Sequence, residues 1–275
     1  MHGQSDAEYF DTNRRRWDEL VPIHLQSPHY DVDAFRAGKT SLCRVEREEL
    51  GPDVPGKSLL HLQCHFGLDT LSWARMGAVV TGADFSAKAI ETAAALAGET
   101  RLNARFLVTD IYSLPEKLDE QFDIVYTSYG ALCWLPDVPR WAALASRYLK
   151  PGGTFYMVDF HPFACIFDDA ANVNALGIRY SYFTPDDPIR TEENGSYADR
   201  DAPLVNRVTY SWSHGLGEIV SALIAAGLRI EFLHEFPFAV EKFSEFLEEV
   251  APREFRLKEH EESMPLLYSV RARKD

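Results

Sequence analysis

The stretch "LLHLQCHFGLDTLSWARMGA" (59–78) decides the reading of this chain. It opens as a short apolar run, turns at residues 63–67, and continues as an amphipathic helix. A strand, a tight turn and a helix in that order form the first unit of a parallel α/β sheet. Such turns are usually rich in glycine, because their backbone visits left-handed conformations and comes close to a ligand. Here Gln63, Cys64, His65 and Phe66 fill the turn, and Gly67 is its one glycine.

The same rhythm continues outward. Apolar runs at 58–64, 78–85, 104–111, 122–129 and 154–160 read as strands, with helical stretches at 69–77, 86–99 and 138–150, the last stopped by "PGG". Short apolar strands alternating with amphipathic helices predict a parallel sheet covered on both faces. Residues 216–227 read as a further helix, and 228–238 and 266–274 as closing strands. Residues 6 to 55 read as an interrupted helical cap. There Tyr9, Phe10, Asn13 and Trp17 share roughly one helix face, Pro22 and Pro28 break the pattern, and "SLCRVEREELG" (41–51) forms a second amphipathic helix. Residues 164–213 depart from the rhythm and read as a β-rich insertion carrying Phe167, Tyr180, Tyr182, Phe183, Tyr197, Tyr210 and Trp212. A segment that long inside one domain is usually functional, so it is expected to cover a substrate. The 275 residues are thus expected to form one domain: a cap (1–55), a core (56–163 and 214–275) and an inserted cover (164–213).

Composition narrows the function. With 46% hydrophobic and 25% charged residues, the chain reads as an ordinary soluble globular protein. A net charge of −14 speaks against a general nucleic-acid binder, which needs a basic stripe. No apolar run reaches membrane-spanning length, and the polar start is unlike a signal peptide. Cys43, Cys64, Cys133 and Cys165 are scattered, without metal-ligand spacing, which fits thiols in a reducing compartment. The expectation is a cytoplasmic protein with no metal and no membrane partner. A homo-oligomer stays open, since an aromatic, acidic insertion suits an interface as well as a lid.

In open α/β sheets, ligands sit beyond the carboxyl ends of the strands. Those ends carry "QCHFG" (63–67), Asp84 followed by Phe85 and Ser86, Asp110 in "TDI", and "TSYGALCWLPD" (127–137). A carboxylate ending the second strand suits a ribose diol, since it accepts from both hydroxyls. One ending the third strand can accept from an exocyclic adenine amine. Ser86 also reads as the N-cap of the helix that follows it.

From about Ser58 to Phe160, and more loosely after residue 215, the chain resembles the class I S-adenosylmethionine-dependent methyltransferases. The resemblance rests on "LLHLQCHFG", "GADFS", "LVTDI", "FDIVYTSY" and "YLKPGGTF". It implies a Rossmann-like, doubly wound, mostly parallel seven-stranded sheet and S-adenosylmethionine as cofactor. Asp84 would hold the ribose, Asp110 the adenine amine, and Phe85 and Ile111 would flank the ring. Ser128 would face the methionine end, and Cys64 and Gly67 would complete the turn. The family's first motif begins with an acid and carries two or three glycines, whereas here His61, Gln63 and His65 occupy three of those positions. The Gln63 carbonyl, a neutral His61 and the charge of Asp69 are the groups expected to receive the cofactor's ammonium.

Scarce glycine weakens the alternative of a nicotinamide-dependent oxidoreductase, because a pyrophosphate needs close backbone approach. A non-catalytic S-adenosylmethionine-binding protein is the other alternative. Candidate bases are His161, His65 and Tyr129, with His214 as a further one. The expected acceptor is a small molecule, methylated on nitrogen or oxygen ahead of carbon.

Overall fold

Strands β1 (Ser58–Leu62), β2 (Val79–Asp84), β3 (Ala104–Val108), β4 (Phe122–Thr127) and β5 (Leu149–Phe160) run parallel to one another. The computed structural model describes residues 6–167, 175–259 and 262–275. Helices α4 (Leu68–Arg75), α5 (Ala87–Thr100) and α6 (Val138–Arg147) join these strands, and α7 (Leu216–Ala225) leads to β8 (Leu228–Phe236). The last strand, β11 (Leu267–Lys274), inserts antiparallel between β5 and β8, giving the order β3-β2-β1-β4-β5-β11-β8. This is the parallel sheet that the strand pattern predicts, in the Rossmann-like, seven-stranded form that the resemblance implies. Both faces are covered: Trp141, Tyr148 and Leu223 are buried on one side, and Trp73 with Val45 and Leu50 on the other. That double burial is why these strands read as continuous apolar runs.

The cap contains α1 (Asp6–Gln26), α2 (Val32–Arg36) and α3 (Arg44–Glu49). Contrary to the break expected at Pro22, α1 continues to Gln26. Proline forfeits one backbone hydrogen bond, but Leu20, Val21 and His24 are buried around it, and tertiary packing outweighs local propensity. Within the insertion, the regular strands among the described residues are β6 (Ile189–Glu192) and β7 (Val208–Ser211), an antiparallel ribbon against α1. The Asn13 amide donates to the Tyr210 carbonyl at 2.8 Å and accepts from its N–H at 2.9 Å, continuing the strand edge with a side chain. A hairpin of β9 (Leu247–Ala251) and β10 (Glu254–Leu257) follows β8, in a stretch whose sequence gave no strand signal. No described helix is long and apolar enough to cross a membrane.

Candidate active site

The turn after β1 keeps a glycine-like path without the glycines. Gln63 (φ 58°), His65 (φ 49°) and Gly67 (φ 78°) all lie in the left-handed region. A non-glycine residue there costs about 1–3 kcal/mol and persists only where its surroundings hold it. Gly67 is different in kind. A Cβ at that position would lie 2.9 Å from both Ala93 Cβ and Phe106 Cε1, so a side chain has no room. Gln63 and His65 instead line an open cavity. The Gln63 amide donates to the Ala131 carbonyl at 2.9 Å, and the His65 N–H donates to Asp84 Oδ2 at 2.8 Å. His65 Nε2 lies 3.0 Å from His24 Nδ1, whose Nε2 lies 2.7 Å from Ser196 Oγ. Trp17 meets the His65 ring edge-on at 5.1 Å. Helix α1 thereby clamps the turn.

Asp84, at the end of β2, is buried and also accepts from Ser86 N–H at 2.9 Å. Burial pushes its carboxyl up to about 6, against the pull of those backbone donors. Ser86 caps α5 through Ala89 N–H (3.0 Å) and donates to Asp18 (2.6 Å), a second tie to α1. Asp110 accepts from the N–H groups of Tyr112 (2.9 Å) and Ser113 (3.0 Å), starting the short helical turn Ile111–Glu116. His61, at the position of the family's acid, is held between Thr70 Oγ1 (2.8 Å) and Ser128 Oγ (3.1 Å). Burial lowers its pKa to about 3, so the ring is neutral. Asp69, on the first turn of α4, accepts from the Ser41 hydroxyl at 2.6 Å, and burial raises its pKa. Gly130, in the turn after β4, donates to Asp159 at 2.6 Å, which fixes the backbone beyond Ser128.

One cavity of about 660 Å³ brings these groups together. His61, Gln63, Cys64, His65, Gly67, Asp69, Asp84, Phe85, Asp110, Ile111 and Ser128 all line it, as does Tyr129. Two of the base candidates lie outside it. His161 Nε2 pairs with Glu235 at 2.9 Å, and its Nδ1 accepts from Phe163 N–H. His214 Nε2 lies 2.7 Å from the Leu135 carbonyl. Both histidines instead fasten local backbone. Tyr129 donates to Glu46 at 2.5 Å, and burial pushes Glu46 up to about 7. Tyr197 of the expected cover lines the cavity, and so do His29, Tyr30, Glu241 and Arg253, which escape sequence reasoning. They come from three separate segments, and only the tertiary fold unites them.

The wall suits an adenosyl sulfonium carrying an amino acid. Gln63 Oε1 is buried without a hydrogen-bond partner, leaving an acceptor for an N–H or ammonium group. Acidic and neutral acceptors cluster at the turn, while Asp84 stands at the second strand end and Asp110 at the third.

Residues 60–157 match the family described as "Methyltransferase domain". A ubiquinone biosynthesis O-methyltransferase of Coxiella burnetii is 28% identical over 153 residues, covering 54% of this chain and 58% of that protein. The corresponding Pseudomonas fluorescens protein is 31% identical over 158 residues, covering 56% and 62% respectively. The chain thus spans less than two thirds of the length of the curated relatives it matches. Among solved structures, an S-adenosylmethionine-dependent methyltransferase described as putative, from Listeria monocytogenes, superposes with a TM-score of 0.57 at 16% identity, covering 84% of this chain and 96% of that one. The 1,6-didemethyltoxoflavin-N1-methyltransferase of Burkholderia thailandensis superposes at 0.55 and 14% identity, covering 100% and 92%. At such identities the likeness concerns the fold.

Sheet order, strand-end acids and the matched domain together define a class I methyltransferase architecture. Residues 60–157 match a methyltransferase domain, and the fold is the one shared with the superposed S-adenosylmethionine-dependent methyltransferases.

Proposed function

We propose that this protein transfers a methyl group from S-adenosylmethionine to a small-molecule nucleophile, nitrogen or oxygen ahead of carbon. The observation that carries the reading is the single cavity joining the ends of four parallel strands, with Asp84, Asp110 and the left-handed turn on its wall. When bound, the cofactor supplies an electrophilic methyl on a sulfonium. In this reading Asp84 accepts from the ribose, Asp110 from the adenine amine, and Phe85 and Ile111 sandwich the ring. Gln63 Oε1 and Asp69 share the ammonium in place of the missing acid, while neutral His61, engaged by Thr70 and Ser128, orients Ser128 beside it. Ser128 lies alongside the methionine end, steadied by His61 and by the Asp159–Gly130 bond. Cys64 and Gly67 shape the turn.

In-line displacement needs orientation more than acid–base help, and the cap and insertion supply orientation and shelter from water. The hydroxyls of Tyr30 and Tyr197 meet over this cavity, joining the cap to the insertion. Of the base candidates, His65 and Tyr129 border the cavity, whereas His161 and His214 act on backbone away from it. The size of the cavity, about 660 Å³, and the surplus of 42 acidic over 28 basic residues support a small acceptor over a nucleic acid. The four free thiols are consistent with a reducing, cytoplasmic setting. The test is formation of S-adenosylhomocysteine, followed by mass spectrometry, across a panel of small amines, phenols and carboxylates, with tRNA and duplex DNA alongside. Turnover with a small molecule is expected; turnover confined to nucleic acid overturns the reading.

A further inference from the structure

Besides the residues assigned to the cofactor, the cavity is lined by His29, Tyr30, Phe160, Tyr197, Glu241 and Arg253. Glu241 follows β8, and its Oε2 lies 3.4 Å from His29 Nε2. Burial together with the charge of Arg253 lowers His29 to about 4, so this imidazole is neutral. Burial raises Glu241 to about 7, although Arg253 pulls it back. Among the described residues, no lysine or arginine reaches ion-pair distance of Glu241. Arg253 donates to the Ser41 carbonyl at 2.5 Å, and the carboxylates that act on it most are Asp69 and Glu46.

Glu241 also stands at a junction. A second cavity of about 180 Å³ shares Phe160 and Glu241 with the first, and Ala164, Phe243, Leu247, Leu257, Met264 and Leu266 help line it. A dry chamber of about 150 Å³ accommodates a benzene ring. Glu241 is half-buried with no cation at ion-pair distance among the described residues, and a ligand cation that also shields it from water offsets the cost of that setting. Tyr30, Tyr197 and Phe160 line the same cavity, and aromatic rings there favour a cation as well. An anionic acceptor is disfavoured, because the cavity lining carries five carboxylates, Asp31, Asp69, Asp84, Asp110 and Glu241, against the two cations Lys39 and Arg253. A neutral hydroxyl would leave the carboxylate without a counter-charge.

Resting on the methyl-transfer reading, we propose that the acceptor is a primary or secondary amine with a compact apolar arm. Glu241 binds it as an ammonium, and the arm enters the 180 Å³ chamber. The ammonium passes a proton to Glu241, with His29 beside it. The nitrogen lone pair then forms the N–C bond to the methyl as the carbon–sulfur bond breaks and its electron pair stays on sulfur. The positive charge leaves on the methylated amine, and Glu241 releases its proton to solvent.

The test is calorimetry on the full chain loaded with S-adenosylhomocysteine, using 2-phenylethylamine, 2-phenylethanol, phenylacetate and methylamine as probes. The expected order has 2-phenylethylamine at least tenfold tighter than each of the other three. E241Q should lose at least tenfold for that amine while holding S-adenosylhomocysteine within twofold. The proposal is overturned if the amine fails to bind, if the alcohol or carboxylate matches it, or if E241Q binds it unchanged. The wild-type comparison stands by itself should E241Q fail to fold. Failure of S-adenosylhomocysteine to bind the wild type would strike the methyl-transfer reading instead.

Discussion

Gly67 and its neighbours separate two reasons for a glycine in a turn. At 63 and 65 the backbone is left-handed but the side chains have somewhere to go, so glycine is replaceable at the cost of strain. At 67 the backbone is left-handed and the space is filled by Ala93 and Phe106, so it is not. Gly67→Ala should therefore destabilise the fold by about 1–3 kcal/mol through overpacking, read as a lower thermal midpoint. An unchanged midpoint would mean the turn is looser than described. At this scale the sequence was legible where position carries the information. Asp84 and Asp110 stand at strand carboxyl ends, and the alternation of apolar runs locates those ends. It was not legible for Glu241 or Arg253, whose segments have no periodicity and whose place depends on distant packing. Nor does a sequence show that His161 is engaged by Glu235 and Phe163 away from the cavity.

Among the elements, α1 does the most to assemble the site, and Arg16 is its fastening. One guanidinium nitrogen donates to the carbonyls of Glu193 (3.0 Å), Asn206 (3.2 Å) and Arg207 (3.1 Å), and the other to Gly195 (2.9 Å). Asn13 and His24 add bonds to the same insertion. Arg16→Ala leaves three part-buried carbonyls and the buried Gly195 carbonyl without their donor and should cost about 1–3 kcal/mol. Hydrogen exchange should rise first across residues 192–212. Uniform exchange over the whole chain, with no local rise, would show that the insertion does not depend on this residue. The amphipathic face of α1 is readable from spacing, and Phe10 and Trp17 from that face line the cavity. Its partner was unreadable, because the insertion meets α1 mostly through backbone carbonyl and N–H groups, which any sequence supplies. For the same reason the hairpin of β9 and β10 left no signal: its strands alternate poorly and half-face solvent.

At the scale of the whole molecule, two sets of buried groups oppose one another. Glu46, Asp159 and Glu241 are pushed up to about 7 and Asp84 to about 6 by burial. The folded chain keeps those protons where the unfolded chain has lost them. Their contribution is complete below the ordinary carboxyl range and is lost as pH rises through 6 to 7. His24 and His61 are pushed down to about 3 and His29 to about 4, mainly by burial. Their contribution is complete above 6.5 and is lost as pH falls toward those values. Between about pH 4 and 6 the two sets nearly cancel, and near 6.5 the histidine gain saturates while the carboxyl loss continues, so stability without ligand should fall as pH rises through 7 and fall again below about pH 4. A thermal midpoint that climbs steadily from acid to alkaline pH would contradict this balance.

The central claim is that the cavity holds S-adenosylmethionine with Asp84 on its ribose. Calorimetric titration of the wild type and Asp84→Ala with S-adenosylhomocysteine, with NADH as control, tests it most directly. The account predicts saturable binding of S-adenosylhomocysteine, none of NADH, and a loss of about 1–3 kcal/mol in the variant. No binding of S-adenosylhomocysteine, or equal affinity in the variant, would contradict it.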